Sequence, residues 1–289
     1  MVRGTLWALL LGAAVCAVAW YATYALAGTA LVDRAATCVP GHCFCERAAG
    51  FPEQLANSVS SFAFVILGTW VVLSRRTGLR ATPGSGIRKP ATREDVLIPL
   101  LGITMLFIGV SSFFYHATLS FFGQFLDIFS MYTFGLILFF GALYRAGRLR
   151  GSYALAGFVA ASIVFGLLQF ASPDARRILF TALLLPGIIL ELTPWVTGHS
   201  PRSRRVWAIY AGLAVMVVAY GIWLLDQTPA FCNPGSLVQG HAIWHMLGAV
   251  AAFLVFIHYR RTPHTLGSQS PGVTDLDTPR ADGRAPRRG

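Results

Sequence analysis

Eight apolar stretches of about 20 residues, separated by short polar connections, constrain this chain more than any other feature. A helix needs about 20 consecutive apolar residues to cross the hydrocarbon core of a bilayer. The stretches lie at about 5–27, 56–74, 95–118, 122–145, 152–171, 177–197, 206–226 and 240–260. The pattern predicts an all-α polytopic membrane protein.

Composition supports this fold class and argues against a soluble protein. Only 12% of the residues are charged, whereas soluble domains carry about 25%. The net charge of +11 does not indicate nucleic-acid binding, because most Lys and Arg lie in short loops and in the C-terminal tail. The lipid bilayer is therefore the expected partner.

Positive charge alternates along the connections and predicts the orientation of the chain. Basic loops on the cytoplasmic side are the rule for membrane proteins. The basic connections are 75–94, 145–151, 198–205 and the tail, and they alternate with the less basic 28–55, 119–121, 172–176 and 227–239. The pair Arg176 and Arg177 is the exception. The basic loops and the C-terminus are therefore expected in the cytoplasm.

The chain divides into four parts. Residues 1–27 read as a transmembrane helix or as a signal peptide, because Ala25-Leu26-Ala27 is similar to a cleavage site. Residues 28–55 form an extracytoplasmic loop, and 56–262 form a seven-helix transmembrane core. Residues 263–289 are rich in Pro, Gly, Ser, Thr and Arg, which predicts a disordered cytoplasmic tail.

Four of the five cysteines lie in outward-facing loops. Cys38, Cys43 and Cys45 lie in the 28–55 loop, and Cys232 lies in the 227–239 loop. An oxidising exterior favours a disulfide between these loops. The sequence alone leaves the pairing open.

Three histidines lie inside apolar spans, where ionisable groups are costly and usually functional. His241 and His245 are four residues apart, so a helix places both imidazoles on one face. This is the ligand spacing of many helical zinc sites, although the glutamate of the HExxH motif is missing. His116 lies near the outer end of another span.

Topology brings further polar groups to the depth of these histidines. Ser112 precedes His116 by one turn, and Asp127 lies one to two turns into the next span. Three imidazoles leave one tetrahedral position of Zn²⁺ open for water, as in catalytic sites. Asp127 would then be a general base and acid, and Ser112 an oxyanion donor. The alternative is that these residues only hydrogen-bond across helices.

At these positions the chain resembles the alkaline ceramidase family, within the CREST superfamily of membrane hydrolases. The similarity is carried by several elements that together span most of the chain. They are Cys45-Glu46, Asn57-Ser58-Val59-Ser60, Ser112-x-x-x-His116-Ala117-Thr118-Leu119, Gln124-x-x-Asp127, Trp223-x-x-Asp226, Cys232, and His241-Ala242-x-Trp244-His245-x-x-x-Gly248.

The resemblance implies a zinc ion held by three histidines, with catalytic roles for Ser112 and Asp127. It also implies hydrolysis of a ceramide-like N-acyl lipid to a long-chain base and a fatty acid, with the metal site near the outer face. By the same analogy Cys45 would pair with Cys232, leaving Cys38 and Cys43 as a second pair. The implied zinc ligands are His116, His241 and His245.

Two departures from the family pattern bear on calcium. Cys43 stands where some animal members have a calcium-binding aspartate, and Gln54 stands near the position of a later glutamate. Both count against calcium dependence. Glu46, Glu53 and Asn57 are left as candidates for a calcium or structural site.

The sequence leaves two alternative functions open and assigns no role to two acidic residues. A hydrolase of this kind could act on another N-acyl lipid or on an ester. A non-catalytic seven-helix receptor or scaffold with a structural zinc is the alternative from another class. Glu191 and Asp226 lie in or at the end of apolar spans without an assigned role.

Overall fold

The computed structural model describes residues 2–74, 93–193 and 207–261, and most of them are helical. The helices are α1 (Val2–Leu26), α2 (Leu55–Ser60), α3 (Phe62–Leu73), α4 (Arg93–Thr118), α5 (Phe121–Arg145), α6 (Gly151–Ala171), α7 (Arg176–Leu192), α8 (Trp207–Asp226) and α9 (Gly240–Arg261). The basic loops 75–92 and 198–205 and the tail 263–289 lie outside the described residues.

Within the described residues, seven helical segments are long and apolar enough to cross a membrane, which confirms the predicted fold class. The predicted 56–74 span counts as one of them, although Ser61 interrupts it and divides it into α2 and α3. The remaining predicted span, 177–197, corresponds to α7, which has 17 residues and ends at Leu192 within the described part of the chain. The protein is a multi-pass membrane protein.

The helices form an arc around a central cavity. α3 packs on α4, α4 on α5 and α5 on α7, while α8 packs on α9 and α9 returns to α3. α6 lies outside this arc against α5, and α1 lies outside it against α3 and α4. In the described residues α7 and α8 share no extended packing surface. The arc is therefore open between these two helices.

Glycines bring α3 and α4 into close contact. A Cβ atom at Gly68 would lie 2.9 Å from the Gly102 carbonyl oxygen, and one at Gly109 would lie 2.9 Å from the Ser61 carbonyl oxygen. Small residues drive helix association in membranes because they let two backbones approach. This contact fixes the C-terminal half of α4, which carries Ser112 and His116, against α2 and α3.

The 28–54 segment lies over one end of the bundle and is tied to it. Gln124 Oε1 on α5 accepts hydrogen bonds from the backbone N–H groups of Thr37, at 2.8 Å, and Cys38, at 2.9 Å. The Tyr115 hydroxyl donates to the Cys38 carbonyl. Disulfides join Cys38 to Cys43 and Cys45 to Cys232, the two pairs that the family resemblance implies.

Candidate metal centre

Three buried imidazoles converge beneath the 28–54 segment. His116 comes from the last turn of α4, and His241 and His245 come from the first two turns of α9. Each offers one ring nitrogen, and these nitrogens all lie within 4.8 Å of one another. The structure therefore brings together the three histidines that the sequence singled out.

The outward nitrogen of His116 has a partner that sets its protonation. His116 Nδ1 lies 2.7 Å from Gln54 Oε1, and Gln54 Nε2 donates to the Glu46 carbonyl at 2.7 Å. Because the amide nitrogen faces a carbonyl, the amide oxygen faces the imidazole, so Nδ1 must be the donor. His116 Nε2 is then an unprotonated lone pair that points into the centre, as a metal ligand requires.

His245 is held in the same tautomer by a different partner. Its Nδ1 lies 3.0 Å from the Asn57 carbonyl oxygen, which can only accept. The hydroxyls of Ser60 and Ser61 donate to the same carbonyl and flank the ring nitrogen. His245 Nε2 therefore also presents a lone pair, and it lies 3.4 Å from Ser112 Oγ.

His241 completes the set with its Nε2 atom 3.2 Å from His116 Nε2. Two nitrogens bound tetrahedrally to one Zn²⁺ at 2.0–2.1 Å are separated by roughly 3.3 Å. His241 Nδ1 is buried and has no hydrogen-bond partner among the described residues. The donor set and its spacing fit a three-histidine metal site with one open position.

Ser112 and Asp127 lie beside this site. Ser112 is buried one turn before His116 on α4, and the Asp127 side chain on α5 lies next to its hydroxyl. Asp127 is half-buried and has no Lys or Arg within ion-pair distance in the described part of the chain. An acidic group without a cationic partner, next to three convergent imidazoles, is available for proton transfer.

A cavity extends from the metal centre into the bundle, with about 1180 Å³ of atom-free space including its opening. Ser112, Asp127, His241 and His245 line its polar end. The rest of the wall is mostly apolar and includes Phe64, Ile108, Ile128, Met131, Phe134, Phe180, Met216 and Trp244. A cavity with one polar end and an apolar wall is suitable for binding a lipid chain.

Phe44 of the 28–54 segment covers the metal centre at this end of the bundle. Its ring centroid lies 4.5 Å from that of His241 and 4.9 Å from that of His116, and only 6% of the residue is exposed. The two disulfides flank it at Cys43 and Cys45. The covalently anchored 28–54 segment thus holds an apolar cover over the imidazoles.

Asp226 anchors the helix that carries two of the histidines. Its carboxylate accepts from the backbone N–H of Gly240 at 2.7 Å and from that of Cys45 at 3.2 Å. Negative charge at a helix N-terminus is stabilising. A Cβ atom at Gly240 would lie 2.7 Å from the Asp226 Cβ, so only glycine fits there. Asp226 therefore holds the first turn of α9, which carries His241, and it is not among the residues that line the cavity.

Glu46 performs a similar task at α2. Its two carboxylate oxygens accept from the backbone N–H groups of Ala56 at 2.6 Å and Asn57 at 2.8 Å. Burial raises the pKa of the Glu46 carboxyl, and these two donors oppose that rise. The Glu53 side chain is half-buried and makes no hydrogen bond or ion pair within the described residues. The contacts of Glu46 are those of a helix cap.

Gln54 is the site residue that sequence reasoning missed. The sequence pattern shows Gln54 only as a departure from the calcium site, yet its buried amide oxygen is the hydrogen-bond partner of His116. Metal-binding histidines usually donate their second nitrogen to such an acceptor. The signal in the sequence is the position of this amide, directly before the short helix that carries Asn57.

Comparisons with known proteins agree with this geometry. The ceramidase family model matches residues 48–276, which include every residue of the metal centre. An alkaline ceramidase of Drosophila melanogaster is 23% identical, over 71% of this chain and 69% of its own length. A putative alkaline ceramidase of Dictyostelium discoideum, dcd3B, is 26% identical over 69% of this chain and 77% of its own. A second one from that organism, dcd3A, is 24% identical over 78% of this chain and 77% of its own. The chain belongs to the ceramidase family.

Proposed function

We propose that this protein is a zinc-dependent intramembrane hydrolase that cleaves the amide bond of ceramide-like N-acyl lipids. The products would be a long-chain base and a fatty acid. Membership of the ceramidase family supports hydrolysis of amide bonds and a lipid substrate. The observation that carries the proposal is the convergence of three buried imidazole nitrogens at one end of an apolar cavity.

The residues of the centre divide the chemistry between them. When bound, zinc would supply Lewis-acid activation of a water molecule and of the amide carbonyl. Asp127 accepts a proton from the attacking water and donates it to the leaving nitrogen. Ser112 Oγ donates a hydrogen bond to the oxygen on which negative charge develops. The apolar wall excludes bulk water and receives the acyl chain.

The test is turnover of defined ceramides by the purified protein, with products quantified by mass spectrometry. Asp127→Asn keeps the size of the side chain and removes the acid–base function. We expect it to retain one metal ion per chain and to lose about 10²- to 10⁴-fold in turnover. A zinc chelator should abolish turnover by the parent protein, and added zinc should restore it.

Two outcomes would replace the proposal. If the parent protein binds zinc but turns over no ceramide, other N-acyl lipids and esters of the same chain length become the substrates to test. If it turns over none of these, the non-catalytic receptor or scaffold with a structural zinc is the better description. Unchanged turnover in Asp127→Asn would remove Asp127 from the mechanism.

The same proposal places the metal centre near the outer face and the C-terminus in the cytoplasm. Disulfides at the metal-centre end are typical of an oxidising compartment. Arg148 and Arg150 are exposed at the opposite end of the bundle. In intact cells a membrane-impermeant thiol reagent should label Arg47→Cys but not Arg150→Cys, both in a Cys16→Ala background. The reverse labelling would invert the topology.

A further inference from the structure

Arg176 and Arg177 lie at the metal-centre end of the bundle, where Arg34 and Arg47 are exposed on the surface. They are the first residues of α7, and both line the cavity. Arg176 Nη2 lies 3.3 Å from Cys43 Sγ, and Arg177 Nη2 donates to Gln227 Oε1 at 3.2 Å. Charge patterning along the sequence does not account for this pair, and the hydrolytic mechanism does not use it.

Neither arginine has a close carboxylate partner in the described part of the chain. The Arg176 ion pair with Asp174 is 3.5 Å long, and 97% of the Asp174 side chain is exposed, so the pair contributes little. The Arg176 guanidinium also donates to the Pro173 carbonyl at 3.0 Å. The Arg177 guanidinium stacks over the Trp223 ring at 4.6 Å. Apart from the exposed Asp174, no carboxylate lies within ion-pair distance of either guanidinium in the described residues, so the two charges that line the cavity are only weakly compensated.

The cavity reaches the surface of the bundle beside this pair. Thr181 on α7 and Tyr220 on α8 both line the cavity and are both exposed. They lie on the two helices that share no extended packing surface. Arg177 connects the same two helices at the outer end of the gap, through Gln227 and Trp223. When a lipid enters from the bilayer through this gap, its polar end passes close to the two arginines.

We propose that Arg176 and Arg177 form an anion-binding subsite that receives a carboxylate or phosphate group of the lipid. This inference rests on the proposed lipid-hydrolase function. Guanidinium groups bind these anions through two parallel charge-assisted hydrogen bonds, which a neutral hydroxyl cannot match. The wall beyond the arginines, at Phe180 and Met216, is apolar and suits the chains.

Two parts of the reaction could supply the anion. The substrate could carry an anionic headgroup, so that the arginines select acidic N-acyl lipids over neutral ones. Alternatively, hydrolysis adds water across the C–N bond and yields a carboxylate on the acyl product and an ammonium on the long-chain base. The arginines would then hold the fatty acid and repel the base.

The experiment compares two N-acyl sphingoid lipids with identical chains, one with a free hydroxyl headgroup and one with a phosphate monoester. kcat/KM is measured in neutral detergent for the zinc-loaded full chain, for Arg177→Gln and for Arg176→Gln/Arg177→Gln. Inhibition by the free fatty acid is measured in parallel. Arg34→Gln/Arg47→Gln removes two exposed charges from the same end of the protein but outside the cavity lining.

If the arginines select the substrate, kcat/KM of the parent protein should be about tenfold higher for the phosphate lipid, and the double variant should lose this preference. Binding of the product predicts equal kcat/KM for the two lipids and about tenfold weaker fatty-acid inhibition in the double variant. The Arg34/Arg47 control should change neither ratio. If the double variant keeps its zinc and both ratios stay at the parent values, the subsite does not exist. Arg177→Gln decides in the same way if the double variant does not fold. A parent protein that hydrolyses neither lipid would instead count against the proposed function.

Discussion

Two buried polar clusters lie at opposite ends of the bundle and differ in how their hydrogen bonds are satisfied. One is the metal centre of His116, His241 and His245. The other, which we term the ionic cluster, is formed by Arg145, Glu191, His258 and Tyr259, all at most 3% exposed. Both join α9 to other helices, and both contain histidine.

The ionic cluster satisfies most of its polar atoms internally. Glu191 pairs with Arg145, accepts from the Tyr259 hydroxyl at 3.0 Å and lies 3.1 Å from His258 Nε2. The Arg145 guanidinium also lies 4.6 Å over the Tyr259 ring. A buried charge is tolerated when it is paired and hydrogen-bonded in this way. The cluster ties α5, α7 and α9 together and explains the position of Glu191 in an apolar span.

In the metal centre, the ring nitrogens of three histidines converge on one point. Partners outside the centre hold His116 and His245 as Nδ1 donors, so their lone pairs point inward together with His241 Nε2. Acceptors that converge in a buried place can be satisfied by a metal ion between them. The comparison teaches that the number of buried polar groups does not identify a functional site, whereas the convergence of several acceptor atoms on one point does.

The largest expected effect tests the metal centre. His241→Ala removes one of three ligands, so we expect loss of stoichiometric metal and about 10³-fold or greater loss of amide hydrolysis. Metal analysis of the purified protein and a ceramide turnover assay measure both. His258→Ala is the matched substitution in the ionic cluster and should keep the metal. Metal loss in His258→Ala alone would reverse the assignment of the two clusters.

The next effect concerns stability. Glu191→Ala leaves the Arg145 charge buried and unpaired, which typically costs about 3–5 kcal/mol. We expect a large fall in the unfolding temperature in detergent, while the folded fraction retains its metal. If this variant unfolds at the parent temperature, the ionic cluster does not stabilise the fold.

A smaller effect is expected at the hydrogen-bond partner of His116. Gln54→Leu removes the acceptor that orients the imidazole, and such changes typically weaken metal binding about 10- to 100-fold. Competition with a chelator of known affinity measures this. Gln169→Leu is the control, because Gln169 is also a buried glutamine but donates to the Phe125 carbonyl, and none of its side-chain hydrogen bonds within the described residues reaches the three histidines. Equal metal affinity in the two variants would contradict the role of Gln54.

The smallest effect is expected at the rim of the ionic cluster. Tyr259→Phe removes one hydrogen bond to the charged Glu191 and leaves the Arg145 pair, which costs about 1.5 kcal/mol. Thermal unfolding should detect the shift, and ceramide turnover should stay at the parent level. A loss as large as that of Glu191→Ala would mean that the hydroxyl, rather than the ion pair, organises the cluster.

Much of the fold and of the metal centre could be predicted from the sequence. Apolar spans are visible because no water in the bilayer core can satisfy an exposed backbone, so each span must be a helix. The one-turn spacing of His241 and His245, and the order of the spans, placed His116 and Asp127 at the same end of the bundle. Whether Cys45 pairs with Cys232 could be predicted only through the family resemblance.

The sequence by itself determined that this chain crosses a membrane several times and which residues lie at one depth within it. The tertiary structure decided that Gln54 and Asn57 fix the tautomers of two histidines, that Asp226 caps α9, and that Glu191 meets Arg145. These contacts join residues between 14 and 188 positions apart. Local periodicity sets which face of a helix a residue occupies, but only the packing of several helices sets which faces meet.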